Sequence, residues 1–266
     1  MVKTLLALLL TMVLQLVLVD AAAADDRDQV FLEQRFSNWP EWTLPAPLPR
    51  PRGRQDLIYP SWFDGTWEVR SEQLDDQGHR QSGDEPLLHQ ARFRLNQRGD
   101  LVGDRVFNAR SIGEALLGAQ LLRVEQDPGQ VNRQLARLKG DRMLETTVIG
   151  RRESNPSERS VFFSDELALQ VLHGPAAPRI SRIETLTRYE RCGAAICADQ
   201  RQVSHAGPGL ESDGSLEGRS SRFQLTLTPL PLDPAGSDAP PTDHANGTAT
   251  AVWGCLLYKS PSPRDS

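Results

Sequence analysis

The chain has 266 residues, 38% of them hydrophobic and 24% charged, with a formal net charge of −5. That is enough apolar material for a packed core and too little charge for a disordered chain. Three of the 30 basic side chains are lysine (Lys3, Lys139, Lys259) and the rest are arginine; no block of like charge stands out, which argues against non-specific nucleic-acid binding.

The chain opens with Met1-Val2-Lys3, an apolar run from Thr4 to Val19 and the small-residue stretch Ala21–Ala24. Small residues at that point suit a signal peptidase, so residues 1–24 are predicted to be a cleaved signal peptide. The run contains Gln15 and is short for a span of about 20 residues. No other segment is apolar enough to cross a bilayer, so the mature chain is expected to be exported without a transmembrane segment. Residues 25–58 carry Pro40, Pro45, Pro47, Pro49 and Pro51 and read as a Pro/Arg-rich extended arm, with Trp39 and Trp42 placed to pin it to a domain surface.

From Tyr59 the hydrophobic period becomes two, and residues 59–254 read as one β-barrel domain. A first strand is expected where Phe63, Gly65, Trp67 and Val69 share one face, and further strands over Ala91–Gln97, Leu101–Asn108, Ala119–Gln126, Asn132–Lys139, Met143–Arg151, Ser160–Ser164, Arg179–Arg191, Ile196–Val203, Ser221–Pro229 and Thr248–Trp253. Helix is scarce: a turn or two over Ser111–Leu117, stopped by Gly118, and a short helix over Leu167–Leu172 capped by Ser164-Asp165-Glu166. Ser204–Ser220 and Leu230–Gly247 read as polar loops. Residues 255–266 break the preceding pattern and closely resemble translated sequencing-adaptor DNA, so they are expected to be a non-native tail. The predicted fold class is all-β, an antiparallel barrel of about 8–10 strands with one or two short helices.

With Cys255 set aside in that tail, Cys192 and Cys197 remain, flanking a small-residue turn with Gly193. An even thiol count in an exported chain favours a cross-hairpin disulfide; free thiols and a metal or redox pair are the alternatives. None of His79, His89, His173, His205 and His244 stands in His-x-His or His-x-x-x-His spacing, so no metal site is expected. No Gly-x-Ser-x-Gly elbow or phosphate-binding glycine loop is present, and no cofactor is expected.

Gly65-Thr66-Trp67 is similar to the Gly-x-Trp signature of lipocalin-like barrels, in which the glycine bends the first strand and the tryptophan plugs the closed end. A wider pattern takes in Tyr59-Pro-x-Trp62-Phe-x-Gly65-x-Trp67, Asp104-Arg105-x-Phe107-Asn108, Pro128-x-x-x-Asn132-Arg133-Gln134, Gly150-Arg151 and Glu184-x-x-Thr187-x-Tyr189. Together these resemble an uncharacterised family of exported cyanobacterial proteins with plastid relatives in the thylakoid lumen. The resemblance implies a lipocalin-like barrel and a lumenal or periplasmic location, and no catalytic residues.

The candidate site is the aromatic group Trp62, Phe63 and Trp67, either a ligand-contacting floor or a barrel plug, with Arg188 or Arg191 placed to stack on Trp67. Asp104 with Arg105 and Glu184 with Arg182 could pair at the barrel mouth, although solvated faces are the plainer reading. The leading expectation is a non-enzymatic barrel holding a small apolar ligand, a pigment or lipid, in an interior lined by Phe93, Leu95, Val148, Phe223 and Leu227. The rival expectation is an accessory protein with a filled core that docks on a thylakoid membrane complex.

Overall fold

The period-two alternation folds into ten strands: β1 (Gly65–Leu74), β2 (Leu87–Leu95), β3 (Leu101–Gly103), β4 (Leu121–Asp127), β5 (Gln130–Leu138), β6 (Arg142–Glu153), β7 (Val161–His173), β8 (Arg179–Cys192), β9 (Ala195–Ala206) and β10 (Arg219–Pro229). The computed structural model describes residues 27–52, 55–75, 77–80, 85–156, 160–206 and 219–231. The expected signal peptide, the strand Thr248–Trp253 and the tail 255–266 lie outside these residues. The strands form one antiparallel sheet in the order β3-β2-β1-β10-β9-β8-β7-β6-β5-β4, curled into a half-barrel. Two helices accompany it, α1 over 27–37 and α2 over Arg105–Leu117.

The two sheet edges are β3 and β4, and α2 spans the gap between them. Asp104 starts this helix by accepting a hydrogen bond from the Phe107 amide (3.3 Å). Because β3 is only three residues long, most of the β2 edge has no strand beside it. Side chains of α2 take that role. Asn108 Oδ1 accepts from the Arg92 amide (2.7 Å), Asn108 Nδ2 donates to the Arg92 carbonyl (3.2 Å), and Ser111 Oγ accepts from the Gln90 amide (2.7 Å). On the opposite side α2 meets β4 at Gly113, where an added Cβ would lie 2.9 Å from Leu121. A larger residue there would have to displace the end of the Leu121 side chain.

The convex face of β7, β8 and β9 is covered by the N-terminal strap. Leu32, Trp39 and Trp42 bury themselves against Phe163, Leu186 and Val203. Arg201 lies over the Phe36 ring (3.7 Å) and Arg35 over Trp42 (4.4 Å). The Arg151 amide donates to the Pro49 carbonyl (2.8 Å), fastening the strap to β6.

The structure corrects several expectations. The arm is not extended throughout, since it begins with α1. The strand expected over Leu101–Asn108 stops at Gly103, because Asp104 caps a helix longer than the one expected over Ser111–Leu117. The helix expected over Leu167–Leu172 is part of β7. There Asp165 and Glu166 point to opposite faces of the sheet, Asp165 buried under the strap and Glu166 paired with Arg105 and Arg151, so they do not cap a helix. Ser204–Ala206 and Arg219–Ser220, read as loop, belong to β9 and β10. Leu95, expected inside, is 64% exposed, whereas Phe93, Val148, Phe223 and Leu227 are buried.

Candidate ligand cavity

The inward residues of β7 run Phe162, Ser164, Glu166, Ala168, Gln170 and Leu172. Phe162 belongs to an aromatic cluster with Phe63, Trp67 and Phe93, against which Tyr59, Trp62 and Tyr189 pack. Leu172 belongs to an aliphatic cluster with Ala136, Leu138 and Leu144 at the other end. Between the two clusters, the concave sheet and α2 border a half-open cavity of about 310 Å³. Its apolar wall comes from Ile112 on α2, Ala168 on β7 and Ile183 on β8. Its polar wall comes from Gln134, Gln170, Thr185 and Gln202, of which Gln202 Nε2 donates to Thr185 Oγ1 (3.2 Å).

Charged groups border the cavity but neutralise one another. Arg105, from the first turn of α2, pairs with Asp56 (2.7 Å) and reaches Glu166 (3.4 Å). Glu166 also binds Arg151 (2.7 Å), whose Nη2 donates to Asn132 Oδ1 (2.7 Å). Burial pushes the Glu166 carboxyl up, and Arg151 with Arg105 more than offsets that, holding it below the ordinary carboxylate range. Burial likewise lowers Arg105, but Glu166 and Asp56 hold its affinity for the proton above normal. His89, which also lines the cavity, is lowered to about 4 by burial, against the opposing effect of the Gln90 carbonyl, and is neutral near pH 7. Burial, with Tyr189 and Glu166 adding to it, raises the Tyr59 hydroxyl well above its ordinary value.

A second buried polar cluster lies on the other side of the sheet, under the strap. Arg35 forks onto Glu184 through two hydrogen bonds (2.7 and 2.9 Å), and the Ala46 amide donates to the same carboxylate (2.8 Å). Asp165 is fully buried beside them. Burial and the Glu184 charge raise its carboxyl well above normal. Among the described residues no group of three or more His, Cys, Asp and Glu side chains is arranged to hold a metal ion.

A family described as a domain of unknown function, DUF6816, matches residues 51–209. The chain belongs to it. A search among curated proteins and a search among solved structures each return no match. Every residue lining the cavity falls inside the DUF6816 region, as do Asp56, Asn132 and Arg151 of the bordering charge network; α1 and β10 fall outside it.

Within the DUF6816 fold, Trp62, Phe63 and Trp67 stand together as the sequence suggested. Phe63 is fully buried and stacks with Trp62 (4.4 Å between ring centroids), and the Trp67 indole donates to the Phe63 carbonyl (2.7 Å). None of the three lines the cavity. Arg188 pairs with Glu190 (2.7 Å), and Trp67 lies in the apolar cluster between Ala91 and Pro229 of the neighbouring strands. Cys192 and Cys197 form a disulfide across the β8–β9 turn, with Cα atoms 5.9 Å apart. Asp104 pairs with Arg92 and Arg94, and Arg105 turns inward to Asp56. Glu184 pairs with Arg35. Sequence reasoning gave no role to Gln134, Gln170, Gln202 or His89. Gln134 and Arg105 stood in the motifs quoted above, but those motifs are spread along the chain and nothing in them joined the two residues to one cavity.

Proposed function

We propose that this DUF6816 protein is a non-catalytic carrier or sensor that holds one small molecule between the concave sheet face and α2. The observation that carries the reading is the cavity of about 310 Å³, lined by aliphatic side chains together with neutral amides and hydroxyls. Ligand sites span roughly 300–1,000 Å³. A volume at the lower end of that range suits a small amphiphilic molecule, or the head of a larger one that projects from the open side. The groups able to do chemistry are poorly suited to it: Arg105 and Glu166 are held in ion pairs, burial makes His89 a weak base, and the Tyr59 hydroxyl is hard to ionise. The docking alternative gains less support, because the strap commits Leu32, Trp39 and Trp42 to its own sheet. Export is part of the reading. It is supported by the apolar N-terminus ending in Ala21–Ala24 and by the disulfide, with thylakoid lumen or periplasm as the compartments that the sequence resemblance implies.

The test is ligand-observed NMR with a small-molecule extract of the native host, run in parallel on wild type and on Ala168→Phe, which fills the cavity. A set of compounds receiving saturation from wild type, and none from a folded Ala168→Phe, is the expected result. Identical spectra from the two proteins would refute a cavity ligand.

A further inference from the structure

The cavity's unpartnered atoms narrow the chemistry of what it holds. Gln134 on β5, Thr146 on β6, Gln170 on β7 and Ser181 on β8 are direct cross-strand partners, each to the next. They form one polar row across four strands, with about 4.8 Å between neighbouring strands. Gln134 and Gln170 line the cavity. Within this row Gln134 Nε2, Thr146 Oγ1 and Ser181 Oγ are buried and have no hydrogen-bond partner among the described residues, and of these Gln134 lines the cavity itself. A buried donor left unpaired costs about 1–3 kcal/mol, which a ligand's hydroxyl would relieve at Gln134.

Charge limits the ligand as well. The ionised groups around the cavity are Arg105 and Arg151 against Asp56 and Glu166, two of each sign and mutually paired. An anion or a cation entering would find no free counter-charge, and burying an unpaired charge is prohibitive. Ala168 and Ile183 lie beside the row on the same concave face, and Tyr59 and Ile112 add to the apolar lining. Building on the cavity reading above, we propose that the ligand is a neutral, polyhydroxylated ring of mono- or disaccharide size. Its hydroxyl edge meets the Gln134–Ser181 row, and its apolar face lies against Tyr59 and the aliphatic wall. Such a ring reaches the protein either as free sugar or as the head of a glycolipid, and both present the same hydroxyl edge.

The test follows the side-chain amide signals of Gln134, Gln170 and Gln202 by heteronuclear NMR on the mature, oxidised protein. The probes are D-glucose, maltose, octyl β-glucoside, the charged analogues gluconate and glucosamine, and the apolar N-phenyl-1-naphthylamine. A neutral sugar or glycoside is expected to shift the Gln134 and Gln170 amides saturably. The charged analogues should bind about tenfold more weakly or worse, and Gln134→Leu should weaken the sugar about tenfold. Similar affinity for glucose and octyl glucoside identifies a free sugar; a preference of about tenfold or more for the glycoside identifies a lipid head. If the naphthylamine fills the cavity while no sugar or glycoside moves these amides, the polyol assignment is overturned and the cavity reading stands. If no probe moves them and Ala168→Phe changes no ligand-observed spectrum, both fall.

Discussion

Replacing Asn108 by alanine tests whether α2 stands in for a missing strand. The change removes Oδ1 from the Arg92 amide (2.7 Å) and Nδ2 from the Arg92 carbonyl (3.2 Å). The carbonyl keeps the Asp104 amide at 2.8 Å, so its loss is small. The amide keeps nothing and becomes a part-buried orphan donor, which costs about 1–3 kcal/mol. Alanine is the better helix former and returns up to about 0.7 kcal/mol. The net loss should be near 2 kcal/mol, or about 4–8 °C in melting temperature for a domain of this size. Arg110→Ala, on the exposed face of α2 in a surface pair with Glu114, serves as control and should stay within about 0.5 kcal/mol of wild type. The assay is denaturant unfolding followed by tryptophan fluorescence, with amide exchange of Arg92 as the local readout. If Asn108→Ala is no more destabilising than Arg110→Ala, or the Arg92 amide keeps its protection, the helix does not complete the sheet edge as argued.

Three further outcomes follow from packing and charge. Gly150→Ala would set a Cβ 2.9 Å from Leu48 Cβ of the strap, so it should cost about 1–3 kcal/mol and make residues 27–50 more sensitive to protease; unchanged digestion would count against close strap packing. The native Asp165 carboxyl titrates well above the unfolded value of 3.8, so its neutral form stabilises the fold at low pH and that contribution is lost as pH rises through the native pKa. Asp165→Asn should then gain stability over wild type at alkaline pH and flatten the pH–stability curve above about pH 4; a slope equal to wild type would argue against a buried neutral acid. Replacing Cys192 and Cys197 by serine should cost about 2 kcal/mol by chemical denaturation, since the loop they close is short.

The half-barrel was legible in the sequence because Phe223, Leu225 and Leu227 alternate with polar neighbours, and such alternation has one physical reading. It failed where a side chain's partner is remote. Asp165-Glu166 resembles a helix start until Arg35 and Glu184 on one face, and Arg105 and Arg151 on the other, show why two acids can sit side by side in a strand. Asp104 carried its capping signal in plain view, but the apolar alternation of Leu101 and Gly103 around it favoured a strand. The aromatic group was found because large rings next to one another in sequence also pack together. The cavity was not, because Gln134, Gln170 and Gln202 lie on three different strands and only cross-strand register brings them together.

Among the described residues, eight of the nine strand pairings join neighbours in the chain; only β1 with β10 does not, setting Trp67 opposite Pro229. That seam divides the sheet into two meanders, β1–β3 and β4–β10, each able to zip locally from its own turns. Closing the seam means bringing together segments separated by most of the domain, an entropic cost that grows only slowly with loop length but must be met before any contact rewards it. Folding should therefore be gated by a single late docking event. If a second chain supplied its β1 before the first chain closed, the same register would join two molecules. The feature that completes the fold is thus also the place where it is open to strand exchange between copies.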